Sequence, residues 1–204
     1  IATQLLHAER SRYALEKETV DAINIRCHDI KHQIAALGGV GRERELQEIE
    51  RLVDIYDCGL KTECAALDLV LAGKSLMCLN KHIELTCMAD GRRLTFMEDA
   101  DIYALFGNIL DNAIEAVEQL DDQEKRLISL AVHAKDHFLH VSQENYYSGE
   151  LVMERGLPMT TKQDKRFHGF GMQSIRMLTE KYGGDLRLRA SGGMYRLSIL
   201  FPMD

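Results

Sequence analysis

Apolar residues at Val20, Ile23, Cys27, Ile30, Ile34 and Leu37 recur at spacings of 3, 4, 3, 4 and 3. This is the period of a helix that buries one narrow seam against another helix. Tyr13 and Leu6 carry the seam back by two further heptads. Gly38, Gly39 and Gly41 then interrupt it, and a second seam runs through Leu46, Ile49, Val53, Tyr56 and Leu60. Two seamed helices joined by a short glycine loop predict an antiparallel hairpin. One hairpin has too narrow an apolar stripe to make a core, so a homodimer that closes a four-helix bundle is expected. The seams by themselves fit a plain coiled-coil linker equally well.

Beyond residue 62 the pattern changes. The spacing predicts a helix over 66–80, and residues 82–88 alternate as a strand does. Residues 98–120 carry Ile102, Leu105, Phe106, Ile109, Leu110, Ala113 and Val117 on one broad helical face. Residues 127–133 and 138–143 alternate again and read as a β-hairpin. The polar, aperiodic stretch 146–168 reads as a long loop. A helix over about 171–182, a Gly183-Gly184 stop and strands near 185–190 and 194–201 complete the chain. The fold class is therefore α+β. Residues 1–62 form a helical hairpin, and residues 63–204 form an α/β sandwich with helices on one face of a mixed sheet.

Composition removes several functions. A net charge of −7, from 25 Lys and Arg against 32 Asp and Glu, opposes non-specific nucleic-acid binding. Five cysteines without a CxxC pair suit a reducing compartment and give neither a disulfide framework nor a zinc signature. No apolar run approaches the roughly 18 residues of a membrane span, and no signal-peptide pattern is present. The chain starts inside a helical pattern without an initiator Met. It reads as a fragment whose membrane or sensor segment lies elsewhere.

Three clusters can carry chemistry. In Arg26-Cys27-His28-Asp29-Ile30-Lys31-His32-Gln33, the seam positions of Cys27 and Ile30 leave His28 and His32 on the solvent flank. A neutral imidazole can act as nucleophile there, with Asp29 fixing its tautomer. A surface histidine pair without function, or one that meets a stray metal, fits the same spacing. In the helix around Asn108-Ile109-Leu110-Asp111-Asn112-Ala113, three oxygen donors lie within about one turn. They suit a magnesium ion carried in on phosphates, although surface or capping amides are the plainer reading. Asn is a poor helix former, so two of them mid-helix require a reason. In His168-Gly169-Phe170-Gly171-Met172, a Gly-x-Gly opens a helix whose free N–H groups can face phosphate. Thr160, Thr161, Lys162, Lys165 and Arg166 precede it as a possible cover. A simple helix-entry turn would look the same, and no GxxxxGK[ST] motif is present.

Taken in order, a heptad helix bearing His-Asp, an Asn-x-x-x-Asn-Ala helix and a lid followed by Gly-x-Gly resemble the sensor histidine kinases of the GHKL superfamily. The resemblance covers essentially the whole chain. Asn108–Ala113 is similar to that family's N box, and His168–Met172 to its second glycine box. His28-Asp29 resembles the phosphoacceptor box of peptide-pheromone quorum-sensing kinases. The resemblance implies a Bergerat-type ATP-binding sandwich and ATP-dependent autophosphorylation on His28. It further implies transfer of the phosphoryl group to a response-regulator aspartate, from a cytoplasmic domain of a membrane-anchored sensor. By the same resemblance Mg²⁺ would sit on Asn112 with Asn108 and Asp111, while Lys162, His168, Gly169, Gly171 and Met172 would surround the nucleotide. The family's usual Asp-x-Gly-x-Gly is replaced by Glu144-Asn145-Tyr146-Tyr147-Ser148-Gly149, so the resemblance gives the adenine contact to Asn145. Alternatives are a catalytically weak phosphotransfer scaffold of the same architecture, or a GHKL ATPase or anti-sigma-type protein kinase.

Overall fold

The computed structural model describes residues 62–148, 153–154, 157–158 and 170–203, and single helical positions at Ala8, Ser11 and Ala14. The expected hairpin, with His28 and Asp29, otherwise lies outside the described residues. The described part is an α/β sandwich. Its five-stranded mixed sheet runs in the order β1-β2-β3-β7-β6, with β1 Glu84–Ala89, β2 Leu127–Lys135, β3 Phe138–Tyr146, β6 Asp185–Ser191 and β7 Met194–Pro202. Three helices, α1 Ala65–Asn80, α2 Asp99–Glu118 and α3 Phe170–Lys181, bury their apolar faces in a shared core with one face of that sheet.

The elements follow from the side chains. Alternation in β2 and β3 sends Ile128, Leu130, Val132, Leu139 and Val141 inward, where all are essentially fully buried. They meet Ile102, Leu105, Phe106, Ile109 and Leu110 of α2, and Ile175 and Leu178 of α3. Burying each such side chain contributes about 1.5–3 kcal/mol. The strands β2 and β3 turn tightly at Asp136-His137, with Asp136 at φ 54°. Gly192 and Gly193, at φ 60° and 77°, give β6 and β7 the left-handed turn that suits the twist of a hairpin. Parallel pairing of β1 with β2 requires a crossover, which a 3₁₀ turn over Gly91–Phe96 and then α2 supply.

Both α1 and α3 end by the same device. After α1, His82 takes φ 53°, its N–H bonds the carbonyl of Leu79, and Ile83 N–H bonds that of Cys78. After α3, Gly183 takes φ 66°, with Gly183 N–H on Glu180 and Gly184 N–H on Thr179. These are the paired bonds that satisfy a helix's last carbonyls. Thr62 is fastened to the sandwich: its hydroxyl and N–H both donate to Asp68, and its carbonyl accepts from Gly91 N–H.

The stretch expected as an unbroken loop over 146–168 differs in detail. The strand β3 continues to Tyr146, and two-residue strands β4 Met153–Glu154 and β5 Leu157–Pro158 pair antiparallel within the loop. Pairs that short carry no periodicity, which is why the alternation of side chains does not announce them. Among the described residues, no helix is long and apolar enough to cross a membrane. Cys64, Cys78 and Cys87 are free thiols, and burial pushes Cys78 and Cys87 up to about 11, which makes them poor nucleophiles.

Candidate functional site

The polar stripe of α2 faces the first turn of α3. Asn108 and Asn112 lie one helical turn apart, and the backbone of Gly171 presses against both. A Cβ placed on Gly171 would stand 3.1 Å from Asn108 Oδ1 and 3.2 Å from Asn112 Oδ1. With glycine there the helix start approaches both amides without displacing them, whereas any Cβ would push their oxygens by a few tenths of an ångström. Asn108 is held from two sides: its Nδ2 donates to the carbonyl of Ala104, 2.7 Å away, and reaches Ser174 Oγ of α3 at 3.5 Å. Here is the reason for an amide in mid-helix. Its donor is used by the preceding turn and by the neighbouring helix, and its oxygen is turned to Gly171.

Asn112 is different. Its Nδ2 is buried and has no hydrogen-bond partner among the described residues. A buried donor left unpaired costs about 1–3 kcal/mol, so the position calls for an acceptor. The first turn of α3 adjoins this amide, and the first N–H groups of a helix have no partner within it. Two carboxamides, one unmet donor and a helix start whose second residue is glycine suit phosphate oxygens with a hard divalent cation. The donor set thus fits a Mg²⁺-nucleotide, and Asn108 and Asn112 are the residues whose oxygens could hold the cation.

The remaining expected site residues are distributed as follows. Asp111 is held by an ion pair: its Oδ1 lies 2.6 Å from Lys74 Nζ of α1. Asn145 is buried on the inner face of the sheet, where Oδ1 accepts from Gln143 Nε2 at 2.9 Å and Nδ2 donates to the Tyr146 carbonyl at 2.6 Å. Met172 is buried in the core cluster. Lys162, His168 and Gly169, like His28 and Asp29, lie outside the described residues.

Three residues that the motif reading did not single out border these positions. Lys74 occupies the buried stripe Leu67, Val70, Leu71, Lys74, Cys78, so a charge at an apolar register position was its signal. Gln143 and Asn145 are polar at two successive inward positions of β3, a break in the alternation that could have drawn notice. Tyr195 pairs in register with Asn145 across β3 and β7. Its hydroxyl is buried without a partner among the described residues, and burial pushes its pKa up. Nothing in the local sequence marks it.

A second polar cluster fixes the two helices that make the site. Asp101, fully buried in the first turn of α2, accepts from Tyr182 Oη at 2.7 Å and from Lys181 Nζ at the end of α3. Tyr182 Oη in turn accepts from Glu98 N–H at 3.1 Å. The bond to Asp101 raises the pKa of Lys181.

Residues 97–202, more than half of the chain, match the sequence profile of a GHKL domain. The chain belongs to the GHKL family. GHKL domains bind ATP, usually with Mg²⁺. No curated protein sequence matches this GHKL chain. Among solved structures, the nucleotide-free catalytic domain of histidine kinase ThkA shares 20% identity, covers 67% of this chain and 90% of its own, and gives a TM-score of 0.51. A second nucleotide-free crystal form of that domain, at 18% identity over 67% and 91%, gives 0.52. The Acinetobacter baumannii histidine kinase AdeS covers 93% of this chain and 98% of its own at 12% identity, with a TM-score of 0.48. At these identities the likeness to the ThkA domain is one of fold.

Proposed function

We propose that the chain is the catalytic core of a sensor histidine kinase in a two-component system, binding ATP with Mg²⁺ and phosphorylating His28. The observation that carries this reading is the seat of Gly171 against Asn108 and Asn112, with the Asn112 amide donor unmet. A Mg²⁺ ion bound there would supply neutralisation of phosphate charge. Asn108 and Asn112 would hold it through their carboxamide oxygens. The start of α3 receives phosphate oxygens at its N–H groups, with Gly169 on the approach and Lys162 over the phosphates. Asn145 receives the adenine edge. Phosphoryl transfer needs positioning and charge stabilisation more than covalent help, which suits a site built of amides and backbone. The imidazole of His28 takes the γ-phosphoryl group while Asp29 holds its other ring N–H. A receiver-domain aspartate of a response regulator then accepts the group. The hairpin of residues 1–62 pairs two copies into a homodimer, and segments outside this chain anchor it at the cytoplasmic side of a membrane.

The test is incubation of the purified chain with γ-labelled ATP and Mg²⁺, with nucleotide binding measured by calorimetry beside it. Acid-labile, base-stable label that disappears in His28→Gln supports the reading. Label that survives His28→Gln overturns the site assignment and turns attention to His32. Absence of both label and nucleotide binding identifies a phosphotransfer scaffold instead.

A further inference from the structure

Lys74 is a cation in a place where cations are rare. Its side chain is only 10% exposed and stands among Leu67, Val70, Leu71 and Cys78 on the core face of α1. An ammonium so far out of water must be matched by an anion. The anion it reaches is Asp111, 2.6 Å away on α2 and adjacent in sequence to Asn112. Asp111 is itself 39% exposed, so its carboxylate also faces solvent on the polar stripe that carries Asn108 and Asn112.

A carboxylate one residue from an amide cation site would ordinarily be the strongest hard-cation ligand in the neighbourhood. Here one of its oxygens is already committed to an ammonium group, and the charge of the pair sums to zero. We infer that Lys74 is a positioning residue that keeps Asp111 off the metal. The cation is then held by neutral carboxamides and the nucleotide's own phosphates, so it arrives and departs with the nucleotide. The inference rests on the nucleotide reading proposed above and adds the device that sets the metal's affinity.

The consequence has a definite sign. Replacing Lys74 by the apolar, similarly shaped methionine frees the Asp111 carboxylate beside the site. Mg²⁺ should then bind more tightly, because an anion a few ångströms away attracts a divalent ion, while metal-free nucleotide should bind more weakly, because the same anion repels phosphate. Neutralising Asp111 as well removes both effects. Lys74→Met alone leaves a carboxylate with solvent access, so folding is retained. The double variant Lys74→Met/Asp111→Asn replaces the pair by neutral groups of the same shape, which is commonly tolerated.

The experiment titrates ADP into the chain by calorimetry, in EDTA and over a series of Mg²⁺ concentrations, for wild type, Lys74→Met and the double variant. The expected result is a half-saturating Mg²⁺ concentration lower on the order of tenfold in Lys74→Met, weaker ADP binding in EDTA, and return of both toward wild type in the double variant. A purely structural role for the pair would lower the thermal midpoint of the nucleotide-free chain and leave the Mg²⁺ dependence of binding where it is. Wild type that binds ADP but shows no Mg²⁺ shift in Lys74→Met overturns this inference alone. Wild type that binds no ADP with or without Mg²⁺ overturns the nucleotide reading and this inference with it.

Discussion

Gly171→Ala separates what the site needs from what the fold needs. The added Cβ would lie 3.1 Å from Asn108 Oδ1 and 3.2 Å from Asn112 Oδ1, closer than ordinary van der Waals contact by a few tenths of an ångström. The neighbours that must yield are side-chain amides, which can rotate, at a cost of about 0.5–1.5 kcal/mol for an off-rotamer angle. Against this, alanine in a helix is favoured over glycine by up to about 1 kcal/mol. The two effects nearly cancel, and the stability of the nucleotide-free chain should change by less than about 1 kcal/mol in either direction. Nucleotide binding has no such compensation. Moving both carboxamides is equivalent to disturbing the support of a metal ligand, which typically costs 10–100-fold in affinity. Mg²⁺-dependent ADP affinity should fall by about that factor.

Urea unfolding gives the first quantity and calorimetric titration the second. Two glycines serve as controls. At Gly107, inside α2, a Cβ would meet nothing within 4 Å, so Gly107→Ala should stabilise by about 0.5–1 kcal/mol and leave binding unchanged. At Gly184, a Cβ would stand 2.7 and 2.8 Å from ring carbons of the buried Phe201, so Gly184→Ala should destabilise by about 1–3 kcal/mol. Unchanged ADP affinity in Gly171→Ala would refute the placement of the nucleotide phosphates between α2 and α3.

Tyr195→Phe should raise the stability of the nucleotide-free chain by about 1 kcal/mol, because it removes a buried hydroxyl that no group meets; a loss in urea unfolding would mean that the hydroxyl has a partner in solution. Asp101→Ala should cost about 1–3 kcal/mol, since it removes the acceptor of the Tyr182 hydroxyl and the nearer anion of Lys181, which is itself 41% exposed and keeps Glu98, and unfastens the end of α3 from the start of α2. Denaturation midpoints check that value, and a cost under about 1 kcal/mol would show the pair to be a surface contact. On the outer face of the sheet, burial and then the neighbouring His133 hold the pKa of His140 below its ordinary 6.5, and Ser198 Oγ lies 2.8 Å from its Nε2. The unfolded chain therefore takes up this proton more readily than the folded one. Stability should rise with pH from the lowered value up to 6.5 and be flat above it, and His140→Gln should remove that slope from urea midpoints taken from acid to neutral pH.

The parts of this molecule legible in the sequence are those where one periodicity runs long enough. The face through Ile102, Leu105, Phe106, Ile109 and Leu110 announces α2, and the alternation in 127–133 and 138–143 announces β2 and β3. The amides at Asn108 and Asn112 were legible because they contradict the propensity of the helix that bears them. The resemblance put these amides and Gly171 around one nucleotide, but their direct approach to each other comes from the structure. Less was legible where partners are far apart in the chain. Lys181 reaches Asp101 across 80 residues and Lys74 reaches Asp111 across 37, and no local pattern encodes such pairs. The 3₁₀ turn at Gly91–Phe96 was missed for another reason: one anchor, the fully buried Leu94, holds it in place, and one anchor is not a period.

The described site is made almost wholly of neutral amides, and this has an energetic logic. A buried carboxylate in an empty pocket carries a large desolvation cost, which only a bound cation or a donor array offsets. A buried amide carries a much smaller one and can satisfy itself internally. Asn145 does so through Gln143 and the Tyr146 carbonyl, and Asn108 through Ala104 and Ser174. The carboxylate next to Asn112 on the stripe, Asp111, is neutralised by Lys74. Among the described residues, what remains unmet is small and specific: the amide nitrogen of Asn112 beside the start of α3, and the hydroxyl of Tyr195. Those two groups are where binding energy is to be gained when a ligand arrives, since their penalty already stands in the empty fold. A ligand that satisfies only one of them should bind measurably more weakly than one that reaches both. Comparing ADP with inorganic pyrophosphate on Tyr195→Phe checks this: the substitution should weaken ADP and leave pyrophosphate alone, and equal effects on both would place the hydroxyl with the phosphates instead.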